Sequence, residues 1–562
     1  MPLKNMRKWE DIITFVVLLQ VLILLNILAQ NVTFQLDFTE EKRYTLSEAS
    51  QKVLAGLDDD VYVEVFLDGE LNGSFQQFQR AIRENLQSFQ AHAGSRLRYS
   101  FVNPEDIADE ETRSRFYEEL SAKGLPPTTL FEDGQTEKKQ KLIVPGALIS
   151  YKNKEKGVLL LKGNSASTNP SEEVSASIEN IEFELISAIQ TLTAKRKPSV
   201  AYIDGHEELR VQDVFDVFNS FSDKYVLERV NLNQRNLDGY SAVIVAQPKN
   251  KFSERERYRL DQFLMNGGKA LFLIDAVQMN LDSIPLGGTY AFGHDLQIED
   301  MLFRYGVRVN MDLVQDRNMG AILLNVGKFG DKPNIQPVRF PYHSVLNSFA
   351  KHPLTKGLDA VYLRFYSSID TVKAKGIRKT PLLFTSDYSR IKRCPNLIDL
   401  DEVKKDMTAK DYTRSGIPVA YLLEGKFKSV YAGIFPPEGE DRQVFKQEAV
   451  VPTKIVVVSD GDLIRNELNP RTREPLPLGF DPISRQTFSN KDFLSNILAY
   501  LTDENGLVSS RNKELKMRPL DTFRIQESKT LWQVLNILGP ILLVCILGGI
   551  RFYWRKQKNK NT

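Results

Sequence analysis

Two uncharged apolar runs near the ends of the 562-residue chain constrain its architecture most strongly. Residues 12–29 read IITFVVLLQVLILLNILA, and residues 534–550 read VLNILGPILLVCILGGI. Each run is long enough to cross a hydrocarbon core about 30 Å thick, which takes roughly 17–25 helical residues. The alternative for the first run is a signal peptide, but its apolar stretch exceeds the roughly 7–15 residues of a signal core and no A-x-A pattern follows. We therefore expect a transmembrane helix at each end.

Basic residues flank both runs on the side facing the chain terminus. They are Lys4, Arg7 and Lys8 before the first run and Arg551, Arg555, Lys556, Lys558 and Lys560 after the second. Positive flanks stay in the cytoplasm, so both termini are predicted to be cytoplasmic. The sequence predicts a bacterial inner-membrane protein with two spans and a large periplasmic region between them.

The composition of the whole chain is that of a water-soluble protein. The chain is 26% charged and 42% hydrophobic, with a mean hydropathy of -0.30, which excludes a polytopic channel or carrier. A formal net charge of +2 argues against a nucleic-acid partner. Cys394 and Cys545 are the two cysteines, and Cys545 lies inside the second run, so a disulfide-stapled fold is excluded.

The first half of the exported region, residues 31–196, alternates strand and helix patterns. The predicted elements are a short helix over 46–57, strands over 61–67, 97–102, 142–151 and 157–161, and helices over 74–93, 107–123 and 174–194. The order βαβα followed by ββα predicts a thioredoxin-like domain, with Pro145 where such folds often carry a cis proline. No C-x-x-C follows the first strand, so redox chemistry is not expected.

The second half, residues 197–506, predicts a doubly wound, flavodoxin-like α/β sheet. Short apolar strands over 199–203, 242–246 and 270–274 alternate with helices, one of which begins at a capping box of Ser253 and Glu256. Residues 280–380 are weakly patterned, and further strands are predicted over 382–385, 419–423, 429–434 and 454–458, with a helix over 491–501. The full division is a cytoplasmic N-terminus and helix (1–30), the two domains, a connector (507–530), a second transmembrane helix (531–554) and a basic cytoplasmic tail (555–562).

Ligands of open α/β sheets bind at the carboxyl ends of the strands, which directs attention to the polar residues there. The candidates are Asp204, His206, Glu207, Asp275, Asp460 and Asp462. Their chemistry suits metal binding or acid–base catalysis, but Asp also ends strands simply because it suits tight turns. The second histidine of a zincin helix and the ligand spacing of an EF-hand are both missing. We therefore assign no catalytic, cofactor-binding or metal-binding residue.

Three missing motifs restrict the chemistry further. The sequence has no G-x-x-x-x-G-K-[ST] loop for ATP and no G-x-S-x-G elbow, and no cysteine follows the buried strands of the second domain. The expectation is a protein that is not an enzyme, with any ATPase on a separate subunit.

Five stretches along the chain are EEKRYTLS (40–47), VAYIDGHE (200–207), FSERE (252–256), NGGKALFLID (266–275) and VVVSDGD (456–462). They resemble the GldG-type proteins, which are gliding-motility-associated auxiliary or substrate-binding components of an ABC transporter in Bacteroidota. The resemblance implies an amidotransferase-like sheet without its catalytic cysteine. It also implies an ABC ATPase subunit and an ABC permease subunit as partners, beside membrane lipid and other periplasmic motility or secretion proteins. It supplies no catalytic residues.

Two interpretations of different classes remain open. In the first, the chain is a non-enzymatic subunit of an ABC complex that binds a ligand or partner protein, or relays ATP-driven motion. In the second, it is a membrane-anchored periplasmic hydrolase that uses the carboxylates at the strand ends. The first is favoured, since catalysis needs convergent acid, base or metal-ligating groups and the sequence offers scattered turn carboxylates.

Overall fold

A computed structural model describes most of the chain. The described residues are 13, 15–21, 23, 24, 45–133, 138–161, 170–280, 283, 288–330, 332–399, 408–440, 445–503, 505–508 and 528–558. Within the first apolar run, the described residues are helical and exposed. The rest of that run, its basic flank, most of the connector and the last four residues lie outside the described part. Residues 1–513 form one compact unit and residues 514–562 form a second.

The N-terminal part of the first unit is built around a four-stranded sheet in the order β2-β1-β5-β6. Its elements are α1 (Glu48–Ala55), β1 (Val61–Val65), α2 (Gly73–Ala93), β2 (Leu97–Phe101), α3 (Glu110–Ala122), β3 (Thr128–Asp133), β4 (Lys138–Ile143), β5 (Gly146–Tyr151), β6 (Lys154–Leu159) and α4 (Pro170–Thr193). Strand β1 runs parallel to β2 and antiparallel to β5. Helix α2 begins at the Asn72 cap and buries Phe75, Phe78, Ile82, Leu86 and Phe89, the stripe that its period predicts.

The single strand predicted over 142–151 is wrong, because the chain divides there into β4 and β5. Pro145 lies in the break and has no N–H to donate to a ladder. The hairpin of β5 and β6 turns at Lys152 and Asn153, and the positive φ of Lys152 (53°) suits a two-residue turn. Among the described residues the cis peptide bond precedes Pro395, so the bond before Pro145 is trans.

An eight-stranded sheet forms the centre of residues 197–508, in the order β17-β20-β23-β24-β10-β9-β7-β8. The five parallel strands are β7 (Ser199–Asp204), β8 (Val226–Asn231), β9 (Ala242–Ala246), β10 (Lys269–Leu273) and β24 (Thr453–Val458). The antiparallel extension is β17 (Ser348–Phe349), β20 (Ile377–Phe384) and β23 (Pro418–Gly425). The sheet is therefore mixed, where the alternating pattern predicts parallel strands.

Helices cover both faces of this sheet, as a doubly wound arrangement requires. They are α5 (Phe215–Phe221), α6 (Glu254–Met265), α7 (Glu299–Tyr305) and α8 (Asn490–Thr502). Val200 and Tyr202 of β7 share a buried cluster with α5 and α8, whereas Ala201 and Ile203 share one with α6 and α7. Burial on both faces explains why these strands read as continuous apolar runs. The first cluster also contains residues of α2 and α4, so the two sheets share a hydrophobic core.

Between β10 and β24, besides α7 and the strands already named, the chain forms further strands. They are β11 (Val277–Gln278), β12 (Thr289–Gly293), β13 (Val307–Val309), β14 (Asp312–Asp316), β15 (Met319–Phe329), β16 (Lys332–Leu346), β18 (Val361–Arg364), β19 (Ile369–Thr371), β21 (Ser389–Arg393) and β22 (Asn396–Ile398); β25 (Phe480–Asp481) and β26 (Gln486–Thr487) follow β24. A strand predicted over 429–434 is wrong. Ser429 and the N–H of Val430 instead bind the buried carboxylate of Asp261 on α6, which holds that segment in a turn.

The second unit contains helix α9 (Lys529–Lys558). Its segment Lys529–Trp554 has 26 residues, and an 18-residue stretch within it has a mean hydropathy of 2.1 and no buried side chains. Among the described residues it is the one helix that is long and apolar enough to cross a membrane.

Candidate functional site

The sheet order brings the candidate residues to one edge. Strands β24, β10, β9 and β7 are consecutive neighbours, and their carboxyl ends share that edge. Asp460 and Asp462 follow β24, Asp275 follows β10, Asp204 ends β7 and His206 lies two residues beyond it. The structure divides these residues into two clusters.

Asp275 is the centre of the first cluster. One carboxylate oxygen accepts a 2.6 Å hydrogen bond from the N–H of Gly461, and the other accepts a 2.8 Å bond from Nε2 of Gln247, which directly follows β9. Gly461 allows this close approach, because a Cβ there would lie 2.6 Å from Cβ of Gln247 and 3.0 Å from Oδ2 of Asp275. The hydrogen bonds of Asp275 thus connect the carboxyl ends of β9, β10 and β24.

Asp460 is fully buried and connects the same edge to β18. Its oxygens accept 2.7 Å hydrogen bonds from the N–H of Arg364 and from the N–H of Asp462, so it caps the short 3-10 helix Gly461–Ile464. Asp462 pairs with Arg465 at 3.1 Å, and the Arg364 side chain pairs with Glu467. Each carboxylate in this cluster therefore has a partner within the chain.

Burial and mutual repulsion perturb the two inner carboxyls. Burial, with the negative charge of Asp462 second, raises the pKa of Asp275 to about 7. Burial also raises the pKa of Asp460 well above its ordinary value, and Asp462 and Asp275 add to that effect.

Asp204 belongs to the second cluster and binds a cation from the neighbouring edge strand. The Arg229 guanidinium donates to it twice, with Nη2–Oδ1 at 3.0 Å and Nε–Oδ2 at 3.2 Å. These hydrogen bonds hold the pKa of Asp204 below its ordinary value. Arg229 also donates to the Leu209 carbonyl and lies over the Tyr202 ring. The Arg229 guanidinium is thus held by three groups of this chain.

His206 is 2% exposed and lies between two buried carboxylates. Its Nδ1 is 3.0 Å from Oε1 of Glu208, and its Nε2 is 3.2 Å from Oε2 of Glu256, the latter an ion-pair contact without hydrogen-bond geometry. The ring stacks on Phe252 at 3.7 Å. Burial lowers the pKa of His206, but the carboxylates of Glu208 and Glu256 outweigh it and leave that pKa above its ordinary value.

The carboxylates beside His206 have further partners. Glu208 accepts from the N–H groups of Gly205 and His206, and Glu256 accepts from the Ser253 N–H and from Asn233. Glu207 lies outside this network: its side chain is exposed and its φ is 57°. The Glu207 side chain therefore joins neither cluster.

A cavity of about 10 Å³ lies beside Tyr362, Arg364, Asp462 and Glu467, which is room for about one water molecule. Within the described residues, no group of three or more His, Cys, Asp or Glu side chains could hold a metal ion.

The partners of the candidate residues are what sequence reasoning missed. Arg229, Gln247 and Arg364 come from separate elements, and nothing in the local sequence links them to these aspartates. Glu208 lies within the HEE motif next to His206, and Glu256 is part of the predicted capping box, which the structure confirms. Its second contact, with His206, has no sequence signal.

Comparisons with known proteins match two parts of the chain. Residues 197–497 match a family described as an ABC-type uncharacterized transport system, and residues 40–150 match a domain of unknown function, DUF7088. An uncharacterized protein of Borreliella burgdorferi is 20% identical over 415 residues, which cover 71% of this chain and 74% of that protein. The solved "mmIFT52 N-terminal domain" is 13% identical, and the match covers 54% of this chain and 97% of that domain with a TM-score of 0.30.

Proposed function

Because the chain belongs to the ABC-type uncharacterized transport system family, which matches more than half of it, we propose that it is a membrane-anchored, non-enzymatic subunit of an ABC complex. Its partners are an ATPase subunit and a permease subunit, and its exported domains bind a ligand or partner protein, or relay ATP-driven motion. The family match supports association with an ABC transporter; the identity of the partners is part of the proposal.

One observation carries the non-enzymatic part of the proposal. At the edge where α/β sheets bind substrates, Asp275 and Asp460 are bound by main-chain N–H groups, and Asp204 is bound by Arg229. These contacts join β7, β8, β10, β18 and the segment after β24. An enzyme needs polar groups that are free to meet a substrate, whereas these groups hold the sheet edge together.

The proposed architecture keeps the division at residue 196. The strand order β2-β1-β5-β6, with α2 between the parallel pair, supports a thioredoxin-like domain over 31–196 that lacks C-x-x-C. Parallel strands covered on both faces support an amidotransferase-like domain over 197–506. The start of the family match at residue 197 supports the same boundary.

The proposed location is a bacterial inner membrane, with both termini in the cytoplasm and the domains in the periplasm. Helix α9 supports membrane association, and the basic residues after it support the orientation. The first span stays a prediction from the sequence. A cytoplasm-specific reporter fused after Leu161 should be silent, and a strong signal would invert this topology.

The test of the complex is purification of the tagged full chain from native membranes in mild detergent. An ATPase and a permease should co-purify in constant ratio. The matched control ends at residue 528 and so lacks α9; it should lose the permease. Repeated isolation of the full chain alone would overturn the proposal.

The role in the cell follows from the resemblance to GldG-type proteins and is gliding motility or secretion linked to it. A deletion strain should lose surface gliding, and the wild-type gene should restore it. The hydrolase alternative is tested in the same strain by the triple variant Asp204→Asn, His206→Ala, Asp275→Asn. If this variant folds and fully restores motility, the strand-end carboxylates are not catalytic.

A further inference from the structure

Among the described residues, the edge of β15 that faces away from β16 has no partner strand, and residues 319–327 along it are uncharged. In that part of the chain β15 pairs with β16 alone, and β16 meets its second neighbour, β18, only over residues 343–346. Over residues 321–339 the described structure therefore contains just two strands. An isolated two-stranded ribbon is marginally stable in water, and a third strand with an apolar face normally completes it.

Apolar side chains are exposed on this ribbon. Leu323 is 58% exposed, Val326 50% and Ile335 59%. Residues 319–327 read MGAILLNVG and carry no charge. Natural edge strands are usually protected by charges, prolines or a covering element, so an uncharged apolar edge is typical of a strand that pairs with another chain.

The two edges of the hairpin differ in how they are protected. β16 contains Pro333 and Pro337, and a proline within a ladder must turn its nitrogen toward the outer edge. The outer edge of β16 therefore lacks donors at both positions. Leu323 lies directly opposite Pro337, so its own N–H and C=O also point outward, along the unprotected edge of β15.

We infer that this chain forms a two-fold symmetric dimer in which β15 pairs antiparallel with β15 of a second copy. A symmetric antiparallel pair centred near Leu323 brings the neutral stretch 319–327 against itself without a like-charge contact. The resulting sheet has the order β16-β15-β15-β16. Both of its ends are the proline-containing edges of β16, so assembly stops at two copies instead of continuing into a fibre.

The paired edge is short, and membrane attachment compensates for this. Anchoring confines copies to one plane and raises their effective concentration, so a contact too small to hold soluble monomers becomes populated. This gain in concentration rests on the membrane association proposed above, whereas the pairing itself needs no ABC partner.

The first experiment is cysteine cross-linking of the full chain in native membranes, in a background with Cys394→Ser and Cys545→Ser. Leu323→Cys should give an oxidised species of twice the 64.1 kDa chain mass. Val211→Cys, at a residue that is 64% exposed in another part of the fold, is the matched control and should stay at the mass of one chain. A cross-link to a different protein would overturn self-pairing. So would protection of Leu323→Cys from a water-soluble maleimide without any cross-link, since that indicates burial in lipid.

The second experiment measures the mass of the detergent-solubilised protein by light scattering. The wild-type chain should give a two-chain mass, and Leu323→Lys should lose it, because two lysines then meet near the two-fold axis. Ile335→Lys adds the same charge on β16 and should keep the dimer. A one-chain mass for the wild type, or equal behaviour of the two lysine variants, would overturn the inference. Loss of the ATPase and permease from an intact dimer would contradict only the proposed function.

Discussion

Removal of the His206 side chain tests whether the strand-end groups hold the fold together. His206 lies between Glu208 and Glu256, all three are at most 6% exposed, and the imidazole stacks on Phe252. His206→Ala leaves two buried carboxylates near each other without their shared cation. Removing one partner of a buried ion pair costs about 3–5 kcal/mol, so we expect a loss of that size in the free energy of unfolding.

The effect should depend on pH with a definite sign. The pKa of His206 is raised in the folded state, so its contribution is full below the unfolded value of about 6.5 and is lost as pH rises through the folded pKa. Although burial alone raises it, the net pKa of Glu256 is lowered, so its contribution is present above about 4.3 and is lost as pH falls through the folded pKa. The difference between wild type and variant should therefore be largest near pH 6.

The assay is thermal unfolding of the full chain in detergent at pH 6 and at steps up to pH 10. At about 2 °C per kcal/mol for a large domain, His206→Ala should lower the midpoint at pH 6 by about 6–10 °C, and the gap should shrink with rising pH. His92→Ala, at an exposed helix position, is the control and should shift the midpoint by less than about 1 °C. An unchanged midpoint for His206→Ala at pH 6, or a gap that widens toward pH 10, would refute the reasoning.

Three further changes have definite expected outcomes. Gly461→Ala should destabilise the chain by about 1–3 kcal/mol in urea unfolding, because the added Cβ meets Gln247 at 2.6 Å; Gly73→Ala, where no atom lies within 4 Å, should not destabilise it. Asp204→Asn should lower the free energy of unfolding by at most about 1 kcal/mol at pH 7, since the ion pair of Asp204 with Arg229 is partly exposed. This difference should vanish as pH falls through the lowered pKa of Asp204. A loss above about 3 kcal/mol would show that Asp204 contributes more than a partly exposed ion pair does. Ending the chain at residue 528 should reduce the fraction of the protein that stays in the membrane pellet after a carbonate wash. An unchanged fraction would show that α9 is not needed as an anchor.

The predictable part of the fold is the part with a repeating physical cause. Residues 242–246 and 270–274 are buried on both faces, so their uninterrupted apolar runs predict the strands found there. The β15–β16 hairpin has no repeating pattern that would predict it. Both of its faces are partly exposed, and exposed and buried residues follow each other along β16 without a fixed period. The apolar residues over 142–151 predicted one strand where the chain forms β4 and β5, because an apolar pattern does not reveal that Pro145 lacks the N–H a ladder needs.

The candidate site shows the same limit. The polar residues after the apolar runs predict Asp204, Asp275 and Asp460 at strand ends. The structure brings these carboxyl ends to the same side of the sheet. Whether a carboxylate there is free or bound depends on groups far along the chain, such as Arg229 for Asp204 and the N–H of Arg364 for Asp460. These pairings follow from tertiary structure, so from the sequence alone the strand-end carboxylates could have either a catalytic or a structural role.

A density map of the assembly purified from native membranes tests the central claim most directly. The account predicts α9 packed against helices of a permease, an ATPase bound to that permease, and no ligand at Asp204, Asp275 and Asp460, with their hydrogen bonds as described. A map that shows the chain alone in the detergent micelle, or a bound molecule that displaces the Gly461 N–H from Asp275, would contradict it.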